Sequence, residues 1–338
     1  MSQGLSQGAA HPATPCDRCK STRARYVMRS EDHLSGEHFN VVRCGGCGLL
    51  RTDFSDRGFD LSRYYGPAYY GAAGRRFRGI LEGTIGLFRK ARARRVARLA
   101  GTPGRVLDLG CGRGLMLAAL QRMGWQCEGT EVSSSLAEAA RSAHGFEVLS
   151  GGIDPLPFPD ATFDAVTAWH SLEHMEHPVR MLGDAFRVLK PGGLLVVEVP
   201  NAASFQALLG GRSWFHLDVP RHLYHFSRTE LRDILDGMGY SILKENTFSL
   251  EQGPYGMAQS ILNRATFHPN VLYRLIRRAS SPEGQARTGR RRLRGVWDLF
   301  ATVLLAVPAG VAGTMLEILA GLVGRGGVTR LAARKRTT

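Results

Sequence analysis

Short apolar runs and segments with helical spacing of apolar residues alternate along the middle of the chain. The predicted strands are 105–110, 126–133, 146–151, 163–170 and 194–200. Helices are predicted over about 77–100, 114–124, 134–145, 178–190 (stopped by Pro-Gly-Gly at 191–193) and 227–240. Strands that alternate with helices at this spacing predict an α/β fold with a Rossmann-like, doubly wound parallel sheet.

The segments on either side of this alternation differ from it in pattern. We predict five regions: a disordered start at 1–14, a small module with an aromatic linker at 15–72, the α/β core at 73–250, a basic and apolar helical insertion at 251–324, and a last strand with a tail at 325–338. Ser227 and Thr229 are predicted to cap the helix that they open.

The insertion contains an apolar run from about Val296 to Val323. Eighteen residues from Leu299 to Leu316 carry no charge, which meets the minimum length for a membrane span. Pro308 interrupts the run, and a strand that must rejoin the sheet follows it, so we predict two short helices that are buried or lie at a membrane surface. Eight arginines between Arg274 and Arg294 would attract anionic lipid, so we expect peripheral contact with the inner face of the membrane.

Charge alone does not define the partner. The chain has 44 Lys and Arg against 29 Asp and Glu, a net charge of +15. Such a surface fits RNA, an anionic membrane or a phosphorylated substrate. The start of the chain has neither a basic segment nor an apolar segment of the signal-peptide type, which predicts a cytoplasmic protein.

Four of the six cysteines form two pairs near the N-terminus, Cys16 with Cys19 and Cys44 with Cys47. In a cytosolic chain, paired Cys-x-x-Cys spacings indicate a metal more often than a disulfide. Four thiolates on two knuckles match a tetrahedral structural zinc site, and a segment of this length needs such a support because it cannot bury a sufficient core.

The sequence VLDLGCGRG (106–114) places three alternating glycines between a strand and a helix. Glycines there allow the backbone to approach a ligand closely. Glu131, at the end of the next strand, can accept hydrogen bonds from both hydroxyls of a ribose. Asp108 precedes the loop, and its carboxylate would repel the pyrophosphate of NAD. It suits S-adenosylmethionine better, because that cofactor carries cationic groups.

Four stretches occur in order, and together they resemble class I S-adenosylmethionine-dependent methyltransferases of the group that contains the ubiquinone-biosynthesis O-methyltransferases. They are DLGCGRG, GTEVS, LPFPDATFDAVTAWHSLEHMEHP and FRVLKPGGLLVVEVPN, within residues 104–250. The resemblance implies that the methionine end of the cofactor is lined by Asp108, Gly110, Cys111, Gly112 and Gly114. It also implies that Glu131 holds the ribose, that Ile153 and Asp154 lie beside the adenine, and that His170 faces the sulfonium. Family members usually have an acidic residue near position 152 or 153, and this chain has Gly152 and Ile153 there.

Candidate catalytic side chains cluster after the fourth strand, namely His170, Glu173 and His174. A base is needed only if the acceptor must lose a proton. In the quinone enzymes a related acidic cluster can hold a divalent metal, but His170 replaces an acidic residue here, so we expect no catalytic metal. For Glu173 and His174, and for His222 and His225, a functional and a structural role both remain open.

The sequence therefore predicts a methyltransferase that acts on a small-molecule or lipid-linked acceptor, with oxygen as the favoured methylated atom. The cysteine module resembles the zinc ribbon that precedes many bacterial sugar and secondary-metabolite methyltransferases. Two alternatives are an RNA methyltransferase that uses the ribbon and the arginines, and a zinc-ribbon binding protein without activity. The acceptor and the oligomeric state are not defined by the sequence.

Overall fold

The computed structural model describes residues 15–55, 60–65, 80–278 and 290–337. The predicted disordered start at 1–14 lies outside these ranges. So do residues 66–71 of the aromatic segment and residues 77–79 at the predicted start of the arginine-rich helix.

The strands form two sheets. The larger has seven strands in the order β10-β11-β8-β7-β4-β5-β6, and its central strands are parallel while β10, β11 and β8 pair antiparallel. This confirms the predicted α/β fold. The strands are β1 (Ala24–Glu31), β2 (His38–Cys44), β3 (Leu50–Asp53), β4 (Arg105–Leu109), β5 (Gln126–Glu131), β6 (Glu147–Ser150), β7 (Phe163–Trp169), β8 (Leu189–Pro200), β9 (Tyr224–His225), β10 (Tyr240–Asn246) and β11 (Val328–Lys335).

Nine α-helices occur in the described part of the chain, and helices pack on both faces of the larger sheet. They are α1 (Ile80–Ala100), α2 (Leu115–Gln121), α3 (Ser134–His144), α4 (Pro178–Val188), α5 (Phe205–Gly210), α6 (Arg228–Gly237), α7 (Gly253–Ala265), α8 (Val271–Arg278) and α9 (Arg290–Leu322). Because helices cover both faces of this sheet, its central strands are buried on both sides. In β8, for example, residues 194–197 are fully buried.

Two boundaries correct the sequence-based prediction. The helix predicted to stop at Pro-Gly-Gly (191–193) ends earlier, at Val188, and β8 begins at Leu189, paired with Phe163 of β7. The predicted stop signal therefore lies within β8, where Gly192 has a positive φ of 73°. Ser227 alone caps α6, in a capping box with Glu230, so the predicted cap by Thr229 is wrong.

The smaller sheet has four antiparallel strands in the order β1-β2-β3-β9. Its last strand, β9, comes from the core segment between α5 and α6, and it pairs with Leu50 and Arg51 of β3. Cys16 and Cys44 belong to the same buried apolar cluster as the residues of β7 and β8. The N-terminal sheet is therefore built partly from the core and shares its apolar interior.

The predicted pair of short helices over the apolar run is wrong, because α9 continues through Pro308 as one helix of 33 residues. Proline removes one backbone hydrogen-bond donor, which weakens a helix. It does not interrupt the helix when tertiary packing stabilises the residues on both sides. Gly313 lies so close to α7 that an added Cβ would meet the backbone nitrogen of Ala258 at 2.7 Å. The close packing against α7 supports the helix beyond the proline.

A buried ion pair joins the N-terminal sheet to the core. The guanidinium of Arg221 donates to Asp32 at 2.6 Å and to Asp218 at 2.6 Å, and the side chain of Arg221 is fully buried. Burial alone would raise the pKa of Asp32, but the charge of Arg221 and the hydrogen bonds that Asp32 accepts together outweigh it and lower that pKa. A buried charge of this kind is costly to leave without its partner.

We expect Asp32→Asn to lower the free energy of unfolding by about 3 kcal/mol, because it removes one of the two charges that compensate buried Arg221. Denaturant unfolding measures the change. The control is Glu37→Gln, which breaks the partly exposed pair with Arg63 at 2.9 Å and should cost less than about 1 kcal/mol. Equal losses in the two variants would contradict a special role for the buried pair.

Candidate active site

The loop after β4 is shaped by three glycines with positive φ: Gly110 at 75°, Gly112 at 56° and Gly114 at 67°. A Cβ on Gly110 would lie 2.6 Å from the Cβ of Ser171, and one on Gly114 would lie 2.7 Å from the ring of Phe146. Nothing lies within 4 Å of the corresponding position at Gly112. Two glycines therefore allow close internal packing, and the third faces open space where a ligand can approach.

Glu131 is buried at the end of β5 and is held by backbone amides. The amide of Gly112 donates to one carboxylate oxygen at 2.9 Å, and the amide of Ser133 donates to the other at 2.9 Å. The carboxylate thus lies directly beside the glycine loop, as expected for a group that binds a ribose.

Asp108 is a buried carboxylate whose side chain accepts a hydrogen bond of 2.6 Å from the hydroxyl of Thr167. Burial raises the pKa of Asp108 to about 7. A cationic ligand group beside such a buried carboxylate would stabilise its charged form. The ammonium of S-adenosylmethionine supplies such a charge, so the loop, Glu131 and Asp108 fit this cofactor.

Of the remaining residues that the resemblance places at the cofactor, Cys111 lies in the glycine loop, and Ile153 and Asp154 follow β6. The sulfur of Cys111 packs against Gly129 of β5, where an added Cβ would approach it to 2.7 Å. Ile153 is partly buried against the core cluster, and Asp154 forms an ion pair of 3.1 Å with Arg180. Gly152, near which the resemblance predicts an acidic residue, has nothing within 4 Å of the position of an added Cβ.

His170 follows β7 and has a positive φ of 52°. Its Nε2 is 2.9 Å from Glu198, and its Nδ1 is 3.6 Å from Glu173. Burial alone would lower the pKa of His170, but the two carboxylates raise it to about 9. The imidazole is therefore protonated at neutral pH, and it compensates two buried carboxylates.

Glu198 is a site residue that the sequence analysis missed. It is fully buried on β8 and pairs with Arg92 of α1 at 3.4 Å and with Arg330 of β11. Burial opposes its charge, but the neighbouring cations lower its pKa well below the ordinary value. The signal was present, since a lone acidic residue inside the apolar run LLVVEVP requires a buried partner.

Glu173, His174 and His222 bring their ligand atoms within 4.8 Å of one another. Nδ1 of His174 is 2.9 Å from the carbonyl of Arg221, and Nδ1 of His222 is 2.8 Å from the carbonyl of His216. A carbonyl only accepts hydrogen bonds, so both Nδ1 atoms donate, and in a neutral ring of this kind the lone pair lies on Nε2. Such a cluster could accept a proton or hold a divalent cation.

Charge distinguishes the members of this cluster. Burial would raise the pKa of Glu173, but His170, His174 and His222 together outweigh it and lower that pKa to about 2. Burial, reinforced by His222, lowers the pKa of His174 to about 4. The cluster therefore consists of a carboxylate and a neutral imidazole at neutral pH, together with His222.

The N-terminal sheet contributes to the same region. Tyr65 places its hydroxyl 2.9 Å from Nδ1 of His174. Thr52 of β3 donates to the carbonyl of His222 at 2.6 Å and lies 3.3 Å from Nε2 of His225. The ring of His225 is buried in this contact, which favours a structural role for His225, whereas His222 faces Glu173 at 4.0 Å.

The four N-terminal cysteines converge as the sequence predicts. The sulfurs of Cys16 and Cys47 are 3.6 Å apart, those of Cys19 and Cys44 are 3.5 Å apart, and all four lie within 4.8 Å. Four thiolates at 2.3 Å from a zinc ion would have sulfurs about 3.8 Å apart. The arrangement fits zinc.

The first cysteine knuckle also contacts the core. A carboxylate oxygen of Asp17, which is buried, accepts from the amide of Val179 at 2.8 Å in the first turn of α4. A carboxylate at that end of a helix satisfies free amides and interacts favourably with the helix dipole. The knuckle is thus attached to the helix that follows Glu173 and His174.

A family model described as a methyltransferase domain matches residues 85–245. The chain is 32% identical over 139 residues to a ubiquinone biosynthesis O-methyltransferase of Xanthomonas oryzae, covering 38% of this chain and 58% of that protein. It is 27% identical over 158 residues to a Mycolicibacterium smegmatis protein assigned as an S-adenosylmethionine-dependent methyltransferase, covering 46% and 57%. The chain thus spans less than two thirds of the length of these relatives.

Among solved structures, one from Galdieria sulphuraria, assigned as a sarcosine dimethylglycine methyltransferase, matches with a TM-score of 0.50 at 15% identity. The match covers 74% of this chain and 86% of that one. At this identity the likeness concerns the fold, and it agrees with the seven-stranded sheet described above.

Replacing His170 by glutamine should destabilise the protein by about 2 kcal/mol near pH 6, because Glu198 and Glu173 lose a charged partner. The pKa of His170 is about 9 when folded and 6.5 in its reference state, so its stabilisation is complete below about 6.5 and is lost as pH rises through about 9. Thermal unfolding of wild type and variant across this range measures the difference, which should shrink toward high pH.

The matched control is His177→Gln, at a half-exposed histidine that pairs with Asp17 at 3.7 Å. Its effect should be small at every pH. A His170→Gln loss that is equally large at pH 6 and pH 10 would contradict the assignment of the charge to His170.

Proposed function

We propose that this chain, in which residues 85–245 form a class I S-adenosylmethionine-dependent methyltransferase domain, transfers the methyl group of that cofactor to an oxygen atom of a small-molecule or lipid-linked acceptor. The choice of oxygen is supported by the ubiquinone biosynthesis O-methyltransferases among its relatives. A lipid-linked acceptor is supported by the long apolar helix that adjoins the core.

The observation that carries the proposal is the buried carboxylate of Asp108 beside an open glycine loop. Among the described residues, its side-chain hydrogen bond comes from neutral Thr167, whereas buried Glu198 has arginine and histidine partners. A cationic ligand group would complete the pairing at Asp108. The cofactor supplies that cation together with an electrophilic methyl group when it binds.

The residues after β7 would act on the acceptor. Alignment contributes much of the rate of an in-line methyl transfer, and a hydroxyl acceptor must also lose its proton. We assign proton acceptance to Nε2 of His222, which lies 4.0 Å from Glu173, so that this carboxylate stabilises the resulting charge. His170, predicted as a catalytic candidate, is protonated and is better suited to holding Glu173 and Glu198 in place.

The N-terminal module would bind one structural zinc ion through Cys16, Cys19, Cys44 and Cys47. Its role would be to close the acceptor side of the core, because β9, Tyr65 and Thr52 link it to the histidine cluster. We place the enzyme in the cytoplasm.

An RNA acceptor is the second candidate. Strand β1 exposes Arg25, Tyr26 and Arg29 along the outer edge of the N-terminal sheet. Cations interleaved with an aromatic ring favour contact with phosphates and bases. Electrophoretic mobility of a labelled RNA with wild type and with the Arg25→Gln/Arg29→Gln variant distinguishes this candidate from a small acceptor.

Calorimetry should detect binding of S-adenosylmethionine, and Glu131→Ala should weaken it by roughly 1–3 kcal/mol, the loss expected for hydrogen bonds to a charged group. The control is Glu128→Ala on the same strand, since Glu128 pairs with Arg105 at 2.6 Å, away from the loop. Binding of NADH without binding of S-adenosylmethionine would overturn the proposal.

Metal analysis of the purified protein should find about one zinc ion per chain. The Cys44→Ser/Cys47→Ser variant should lose it and become sensitive to proteolysis in residues 16–50, because metal binding energy is part of the stability of such modules. Cys111→Ser should retain the metal.

Two results would change the assignment. A metal-free wild-type protein with residues 16–50 protected from proteolysis would refute the zinc site. A second metal equivalent that persists in the cysteine variant would assign a metal to Glu173, His174 and His222, contrary to the expectation of metal-free catalysis.

A further inference from the structure

Helix α9 has its polar and small residues on the inside and its large apolar residues on the outside. The buried stripe recurs every three or four residues, so it forms one face of the helix that packs on α7. Its members are Asp298, Ala301, Thr302, Ala309, Gly313, Glu317 and Ala320. A helix that faces water normally shows the opposite distribution.

The outward face is almost continuously apolar. Its most exposed side chains are Leu322 at 79% and Val307 at 75%. Its large exposed members are Val296, Trp297, Leu299, Phe300, Val303, Leu304, Val307, Val311, Met315, Leu316, Ile318, Leu319, Leu322 and Val323. From Val296 to Val323 this face extends about 40 Å, far beyond the apolar patches that monomeric proteins commonly expose to water.

The helix is long and apolar enough to cross a membrane, but its contacts hold it against the protein. Asp298 accepts from the amide of Phe267 at 2.7 Å near one end, and Glu317 accepts from the amide of Gly327 at 2.7 Å near the other. Strand β11 then enters the core sheet at Val328. Crossing a bilayer would remove both carboxylates from their partners and separate β11 from its sheet.

Charge determines which occupant suits this face. Between Arg294 and Arg325 the only charged residues are Asp298 and Glu317, and both are buried. A second copy packed antiparallel would bring Arg294 of one chain near Arg325 of the other, with no exposed carboxylate along the face to compensate. An anionic surface, in contrast, attracts both arginines.

The ends of the face have the side chains of a membrane interface. Arg294 lies 5.4 Å from the ring of exposed Phe267, and Arg325 lies 5.5 Å from the ring of Phe205. Half-exposed Trp297 donates its indole N–H to the carbonyl of Ala265 at 3.1 Å. Aromatic rings and arginines of this kind anchor helices at the boundary between headgroups and acyl chains.

We propose that α9 lies flat on an anionic membrane surface, with Val303, Val307 and Val311 in the acyl boundary and with Arg294 and Arg325 at the headgroups. The docking depends on the helix alone and does not depend on methyl transfer. Helix α7 separates α9 from the segment that carries His216, since a Cβ on Gly256 would meet Nε2 of His216 at 2.4 Å. In a docked molecule, α7 would thus lie between the lipid and the segment that carries His216.

Flotation of the full-length protein with vesicles tests the proposal. The protein should float with vesicles of phosphatidylcholine mixed with phosphatidylglycerol, and less with phosphatidylcholine alone. Arg294→Gln/Arg325→Gln should lower the partition coefficient by about fivefold for each arginine and should reduce its dependence on salt. Val303→Ser/Val307→Ser/Val311→Ser should lower it by more than about tenfold, also in high salt.

The matched control is Leu243→Ser, at a half-exposed leucine on β10 outside the face, and it should float like wild type. Binding of S-adenosylmethionine by each variant checks that the core is folded. If the proposed cofactor is wrong, this binding is absent in wild type as well, whereas the flotation result is unaffected. A protein that does not float but sediments as a dimer, dissociated by the triple substitution, would overturn the proposal in favour of a second copy. Flotation unchanged in the triple variant would overturn it as well.

Discussion

Several carboxylates are buried at the carboxyl edge of the sheet, and the arrangement of the site depends on how each of their charges is compensated. Glu198 is compensated by Arg92, Arg330 and protonated His170, and His170 also lies beside Glu173. These pairs connect α1, β7, β8 and β11, so the charge network fixes the relative positions of the elements around the cleft. Asp108 differs because its hydrogen-bond donor is neutral, which leaves it available for a cationic ligand.

The same requirement joins the N-terminal sheet to the core. Arg221 is fully buried and needs two carboxylates, of which Asp32 belongs to the N-terminal sheet and Asp218 to the core. The carbonyl of Arg221 in turn fixes the protonated nitrogen of His174. A short series of contacts therefore joins the N-terminal module to the histidine cluster of the core.

Local patterns were sufficient to predict the sheet, the glycine loop and the cysteine knuckles, because strand periodicity, positive φ and paired cysteines act over a few residues. The doubly wound α/β fold and the four-cysteine cluster expected from them are confirmed. Glu198, Arg92 and Arg330 were missed because their pairing joins residues more than a hundred positions apart. His222 remained undecided for the same reason, since only the fold brings it to Glu173. The sequence pattern predicts a break at Pro308 because local propensity does not include the packing of α9 against α7.

The inverted helix α9 follows from the same electrostatic requirement. Glu317 is fully buried, where burial raises its pKa, yet it keeps hydrogen bonds with Gln206 at 2.7 Å and with the amide of Gly327. Turning the helix to bury its leucines and valines would break these bonds, as well as those of Asp298 with Phe267 and His268. The small residues between the two carboxylates then allow close contact with α7 but leave no room inside for large side chains. The apolar face is directed outward because the hydrogen bonds of Asp298 and Glu317 hold the opposite face of α9 against the protein.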